Sequence, residues 1–300
     1  MLRNLLIVIP FVFLVGCTTA SIFQTATSNA QNQLTLREQQ QVLIEKDVIV
    51  ETVNQLFIST DNRDWDTVKS IFAAKVLFDM TSLVGGDPVT LTSQEIVDAW
   101  DVGLAPIEAI HHQVSNFIVD INTNQDEAEV FNYGFAVHYL PNSTGENTRT
   151  FVGSYTFHFT KIEADWRIDA FKFDAKYVDG NLDLEADAMA DRLAQLPAAI
   201  QCYIEAVNEE NLDSLTACFV GAATIVDVSR SIEGLEAIRN WADREVIGGR
   251  LDALGIVEES EDTITLLVNF APSGVGGFEA HYAFTFTDDL ITGMDLQYAP

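Results

Sequence analysis

Two aromatic ladders with the same internal spacing set the tightest limit on this chain. They are Phe151, Tyr155, Phe157 and Phe159 in the first half, and Phe278, Tyr282, Phe284 and Phe286 in the second. Successive side chains on a strand point to opposite faces, so residues at even spacing share one face. Each ladder therefore lines one side of a sheet, and its rings read first as core. Two ladders predict two sheets, each with its own core.

The residues ahead of each ladder repeat the same order. Val48, Ile49, Thr52, Val53, Leu56 and Phe57 fall at helical spacing. The run Asp61-Asn62-Arg63-Asp64 breaks that pattern, and Trp65, Val68, Ile71 and Phe72 predict a second, short helix. Residues 76–80 read as a strand, and Ser93 as the N-cap of a helix ending near Trp100. Four β-type runs follow, near 109–121, 127–140, 149–162 and 165–178. In the second half, Ile200, Tyr203, Ile204 and Val207 predict a first helix, Asn208 to Asn211 break it, and Leu212, Leu215 and Phe219 predict the next. A strand over 223–228, a helix over 235–243 and further β runs complete the order. The segment Asp64-Trp65-Asp66-Thr67-Val68 corresponds to Asn211-Leu212-Asp213-Ser214-Leu215.

The first long β run opens with His111 and His112. Alternation sends them to opposite faces unless a bulge intervenes. It groups His112, Val114, Asn116 and Ile118 on one face. In the next run Val130, Gly134, Ala136 and His138 share a face of mostly small residues, opposite Phe131, Tyr133, Phe135, Val137 and Tyr139. If His112 and His138 look at the same space, they look across small side chains that leave room for a ligand. The same pattern suits two histidines satisfied by local hydrogen bonds. No H-x-x-x-H or C-x-x-C spacing occurs, so no metal is expected. No G-x-S-x-G occurs either, and Gly274 to Gly277 read as a hairpin turn, not a phosphate loop.

Forty-five acidic against sixteen basic residues give a formal charge of −29. Nucleic acid would be repelled. The first seventeen residues, MLRNLLIVIPFVFLVGC, combine a short positive start at Arg3 with an apolar run too short to span a bilayer comfortably. The run ends in Leu14-Val15-Gly16-Cys17, which resembles a bacterial lipobox. That resemblance implies a signal peptide over 1–16, lipid on Cys17, and a protein anchored to the bacterial cell envelope. Thr18 after Cys17 implies the periplasmic side of the outer membrane where two membranes exist. Residues 17–42 are mainly polar and read as a flexible tether.

The order helix, helix, strand, helix, long sheet resembles the nuclear-transport-factor-2-like fold, and in particular its polyketide-cyclase-like (SnoaL-like) branch. Asn-Glu-Glu-Asn-Leu-Asp-Ser-Leu at 208–215 and Gly-Leu-Glu-Ala-Ile-Arg-Asn-Trp at 234–241 carry the resemblance. It implies an α+β fold of two cone-shaped domains, at 43–180 and 190–300. In each, N-terminal helices would pack in a curved antiparallel sheet around a cavity, and the two would form a pseudo-dimer.

Within that family the first half is similar to scytalone dehydratase. The segment from Ser59 to Asp66 places the catalytic aspartate on Asp61. Ile110-His111-His112 places a catalytic histidine on His112, and a second falls at His138. Thr60 and Met80 stand where that enzyme has tyrosines. Asp79, Trp100 and Asn116 are further candidates for a ligand site. The expectation is a binder of a small apolar or carbonyl-bearing molecule, or a dehydratase or isomerase that needs no cofactor. An aspartate beside a histidine fixes one tautomer and favours proton abstraction next to a carbonyl. The second half has no comparable set, although Asp227 and Arg250 are possible cavity residues.

Cys202 and Cys218 lie at equal distances from the turn near Glu210. A disulfide and two small buried thiols both fit that placement.

Overall fold

The computed structural model describes residues 18–273 and 276–300, with side chains from residue 35 onward. The leader, Cys17 and part of the 274–277 turn lie outside the described residues. The chain divides into two compact units. The first takes residues up to 105, 109–138 and 150–179; the second takes 106–108, 139–149 and 180–300.

The first domain opens with α1 (Thr18–Asp61), α2 (Trp65–Ile71), β1 (Phe72–Asp79), α3 (Thr81–Val84), β2 (Val89–Leu91) and α4 (Ser93–Leu104). Four long strands follow: β3 (Ala109–Ile121), β4 (Glu127–Tyr139), β5 (Thr148–Ile162) and β6 (Asp165–Gly180). The sheet order is β2-β1-β6-β5-β4-β3. Next come α5 (Leu184–Ala194), which the sequence pattern did not predict, α6 (Ala198–Asn208), α7 (Leu212–Ala217), β7 (Phe219–Asp227), β8 (Arg230–Glu233) and α8 (Leu235–Glu245). The chain ends with β9 (Arg250–Glu259), β10 (Thr263–Ala271), β11 (Phe278–Thr287) and β12 (Leu290–Tyr298). The second sheet has the order β8-β7-β12-β11-β10-β9, position for position that of the first.

Both domains are α+β, with helices packed on one face of a six-stranded sheet. The sheets are mixed, not purely antiparallel, because β1 pairs parallel with β6 and β7 parallel with β12. The intervening strands and helix supply the long crossover a parallel pair requires. Both parallel pairs carry the same irregularity. From Phe72 to Leu77 the register on β6 moves only from Ile168 to Ala170, and from Phe219 to Thr224 that on β12 moves only from Ile291 to Gly293.

The ladders sit where alternation puts them. Phe157, Phe159 and Phe284 are fully buried, with Tyr155 and Tyr282 nearly so. Burying a ring of this size is worth ~1.5–3 kcal/mol. Both helix breaks close alike. Arg63 and Glu210 take positive φ, 54° and 56°. The next residue caps the following helix: Asp64 accepts from Thr67 N, and Asn211 from Ser214 N.

Three local expectations are corrected. Residues 18–42, read as a tether, belong to α1. No Gly or Pro occurs between 18 and 61 to interrupt a helix, and a run of Gln, Glu, Arg and Leu at 34–45 favours one. Residues 35–41, mainly polar, are all exposed. The N-cap of α4 is Thr92, not Ser93. Thr92 and Glu95 form a reciprocal capping box, whereas three residues beyond Ser93 stands Ile96, which cannot reciprocate. In β3 the alternation fails at Asn116, whose φ of 59° marks a bulge. Beyond it Phe117 and Val119 turn inward and Ile118 outward.

Cys202 and Cys218 are bonded, with Cα atoms 5.9 Å apart, tying α6 to the end of α7.

Candidate active site

The site begins where α1 ends. Asp61 is its last residue, and the turn that follows holds the carboxylate against the start of β3. Asp61 Oδ2 accepts from the backbone N–H of His112 at 2.9 Å, and Oδ1 meets His112 Nδ1 at 2.6 Å. A carboxylate only accepts, so Nδ1 is the donor, and in the neutral imidazole that tautomer leaves the lone pair on Nε2. The Phe57 ring, one helical turn before Asp61, stacks on the imidazole at 4.9 Å and 27°. His112 is thus held by a charge, a main-chain bond and a ring face. His111 points outward, its side chain 69% exposed, and its Nδ1 is 3.9 Å from Asp61 Oδ2.

His112 lines a cavity of about 410 Å³. That size lies within the range of small-molecule sites, roughly 300–1,000 Å³. The walls come from α1, α3, α4 and the helix-bearing face of the sheet, and are largely apolar: Phe57, Leu83, Trp100, Phe171 and Phe173. Trp100 packs against Phe72, Phe78 and Phe171. His138 lines the same cavity, with its ring 5.1 Å from that of Phe151. Asp61 stands behind His112. The small residues of β4 supply room, with Ala136 at the wall.

Besides Asp61, two candidates are not cavity residues. Asp79 accepts from both the backbone N–H and the hydroxyl of Thr81, and these bonds hold its carboxyl below the usual aspartate range. It fastens the turn into α3. Asn116 lies at the bulge, exposed, with its side-chain oxygen accepting from Ser115 Oγ. Simple alternation would have carried it to the His112 face; its left-handed backbone does not.

One cavity residue was hidden by its own pattern. Tyr155 reads as a core rung of the ladder, yet it lines the cavity. Its ring packs 4.7 Å from Phe57 and 4.8 Å from Phe173. Burial, reinforced by the charge of Asp61, pushes its hydroxyl well above the ordinary tyrosine value, so it stays protonated. The ring has its seat because position 134 is glycine: a Cβ there would meet Tyr155 Cε2 at 2.7 Å. A phenol among phenylalanines at this spacing was the available signal, since a buried hydroxyl calls for a polar neighbour. Thr60 and Met80 also line the cavity, and the Thr60 hydroxyl donates to Leu56 O. Among the described residues no three His, Cys, Asp or Glu side chains are grouped to hold a metal ion.

No curated protein matches the chain. Among solved structures it is similar to the Kfla4162 protein from Kribbella flavida, at 21% identity over 48% of this chain and 99% of that one, with a TM-score of 0.46. It is similar to the LinA-type3 hexachlorocyclohexane dehydrochlorinase from Novosphingobium barchaimii LL02, at 13% identity over 47% and 92% of the two chains, with a TM-score of 0.39. A third, an NTF2-like protein from Cytophaga hutchinsonii, is 18% identical over 34% and 88%, with a TM-score of 0.31. The family model of the SnoaL-like domain matches residues 41–172. That span runs from the exposed part of α1 through His112 and His138 into β6.

Proposed function

We propose that the first domain is a cofactor-independent lyase or isomerase acting on a small, mainly apolar molecule that carries a carbonyl. The observation that carries this reading is the Asp61–His112 contact of 2.6 Å at the wall of an apolar cavity. His112 Nε2 takes a proton from the carbon next to the carbonyl. The electron pair left behind forms the new double bond as a β-hydroxyl departs, and the imidazolium returns the proton to it as water. Asp61 stabilises the imidazolium while it lasts. Tyr155 offers a neutral donor for the carbonyl oxygen, and His138 a polar group elsewhere on the wall.

The experiment offers a panel of β-hydroxy ketones in deuterated water and follows deuterium at the α-carbon by NMR. Wild type should exchange and eliminate, and His112→Ala should do neither while still binding. Equal exchange in both proteins would overturn the reading. Binding without exchange in either would leave the domain a carrier of such molecules, which the apolar walls alone would support.

We also propose that Cys17 carries lipid and anchors the protein in the cell envelope. The support is the Leu14-to-Cys17 lipobox. Cys17→Ser should move the protein from the membrane to the soluble fraction and abolish fatty-acid labelling. Wild type found wholly in the soluble fraction would overturn it.

A further inference from the structure

The second domain has a cavity of its own, of about 220 Å³, between α8 and the sheet. Its walls include Trp241, Phe270, Phe278 and Tyr282, with the carboxylates of Asp227 and Glu245 at the same cavity. Phe270 and Phe278 meet edge to face at 5.9 Å. A single cation, Arg230, pairs with both carboxylates, bidentate to Glu245 and through one nitrogen to Asp227. Two negative groups against one positive leave the site one charge negative.

The polar groups are incompletely matched within the protein. Asp227 uses Oδ2 for both Arg230 and the Trp241 indole N–H, while Oδ1 accepts from none of the described residues. Tyr282 is only 6% exposed and lines the cavity, yet its hydroxyl makes no hydrogen bond with any described residue. The ring is buried while the hydroxyl oxygen stays accessible, where a ligand can meet it. Burial and the Asp227 charge keep it protonated.

We propose that this cavity binds a small organic cation, a methylated ammonium with a short hydroxyl-bearing arm. Aromatic faces attract a cation through their quadrupoles, and the uncancelled carboxylate charge adds to that attraction. The methyl groups suit the apolar walls, and the arm's hydroxyl suits that of Tyr282. The volume, below the usual range for larger ligands, limits the molecule to a few heavy atoms. Nothing in the first domain's chemistry enters this inference.

Calorimetric titration of the full chain tests it, at about 0.15 M salt to screen the diffuse charge of the surface. Three probes are used: choline, its uncharged shape-match 3,3-dimethylbutan-1-ol, and tetramethylammonium. Choline should bind about tenfold or more tighter than the uncharged match, with tetramethylammonium between them. Glu245→Gln should weaken choline about tenfold and leave the uncharged match unchanged. Glu258→Gln, at an exposed carboxylate of β9, should leave both unchanged. Tyr282→Phe, which keeps the ring, should bring choline down to the level of tetramethylammonium. The proposal is overturned if choline does not bind, if the uncharged match binds as tightly, or if Glu258→Gln weakens choline as much as Glu245→Gln does. Should Glu245→Gln fail to fold, Tyr282→Phe and the probe series decide alone.

Discussion

Asp61 and Asn208 hold the same station in their two domains. Each is the last residue of a helix, three positions ahead of the cap of the next. Each accepts a hydrogen bond from the first long strand, Asp61 from His112 N at 2.9 Å and Asn208 from Leu251 N at 2.8 Å. The fold therefore needs an oxygen acceptor at this station, and an amide serves as well as a carboxylate. Only the first domain adds a charge, and only there does the strand present an imidazole to it; the second has Leu251. The surroundings of the two tyrosines and the cavities differ as well. Gly134 lies against Tyr155, whereas Leu266 is the cross-strand partner of Tyr282. The first cavity is about 410 Å³ and the second about 220 Å³. The same station holds an amide bonded to the main chain in one domain, and a carboxylate bonded to both main chain and imidazole in the other.

The sharpest way to break this comparison is to write the second domain's residue into the first. His112→Leu should lower turnover on any substrate found by the exchange assay by about 10²–10⁴-fold while leaving ligand affinity within a few-fold. Asp61→Asn keeps the acceptor for His112 N and loses the charge, so it should fold normally and fail in turnover. If it instead unfolds the domain, the carboxylate is architectural there too.

Next in size is the disulfide, which only the second domain carries. Reduction, or Cys202→Ser with Cys218→Ser, should cost that domain about 3 kcal/mol. In denaturant titrations the first domain's transition should stay where it was, and a shift of both together would show that they do not unfold separately.

Gly134→Ala should destabilise the first domain by about 1–3 kcal/mol, because the Tyr155 ring has to leave its seat. Ala is accommodated at no cost only if that ring is free to move, a result calorimetry and tyrosine fluorescence would show.

The smallest effect concerns Glu45. Its hydrogen bond with Lys161, opposed by desolvation and helped by Trp166 and Gln41, holds it below the usual glutamate range. A lowered carboxyl contributes stability that is present above its unfolded value and lost as pH falls through the folded one. The first domain should therefore lose stability on acidification through the glutamate range, and Glu45→Gln should reduce that loss by about 1 kcal/mol. Urea midpoints taken across that range measure it, with the second domain as the unchanged control.

The elements and their order were legible because periods of 2 and 3.6 residues survive in the sequence, and because Asp64 and Asn211 are of a type that caps helices. The meeting of Asp61 and His112 was legible through the resemblance to scytalone dehydratase, which put a role on each; alternation by itself gave His112 only a face. Asn116 was not, since a left-handed residue inside a strand leaves the composition unchanged while reversing every face beyond it. Asp79 was misplaced because its local turn with Thr81 competes with any longer reach. Tyr155 was absorbed into the ladder, and Gly134, which makes room for it, has no side chain to announce itself. The helical character of residues 18–42 was missed because a mainly polar run was taken for a tether, although the residues at 34–45 favour a helix.

The carboxylate of Asp61 holds the ring of His112 with one oxygen and the main chain of His112 with the other. Any fluctuation that parts α1 from β3 releases both at once. The amide proton of His112 is then a reporter: its rate of exchange with solvent measures how often the pair comes apart, one residue at a time, in a protein whose ligand need not be known.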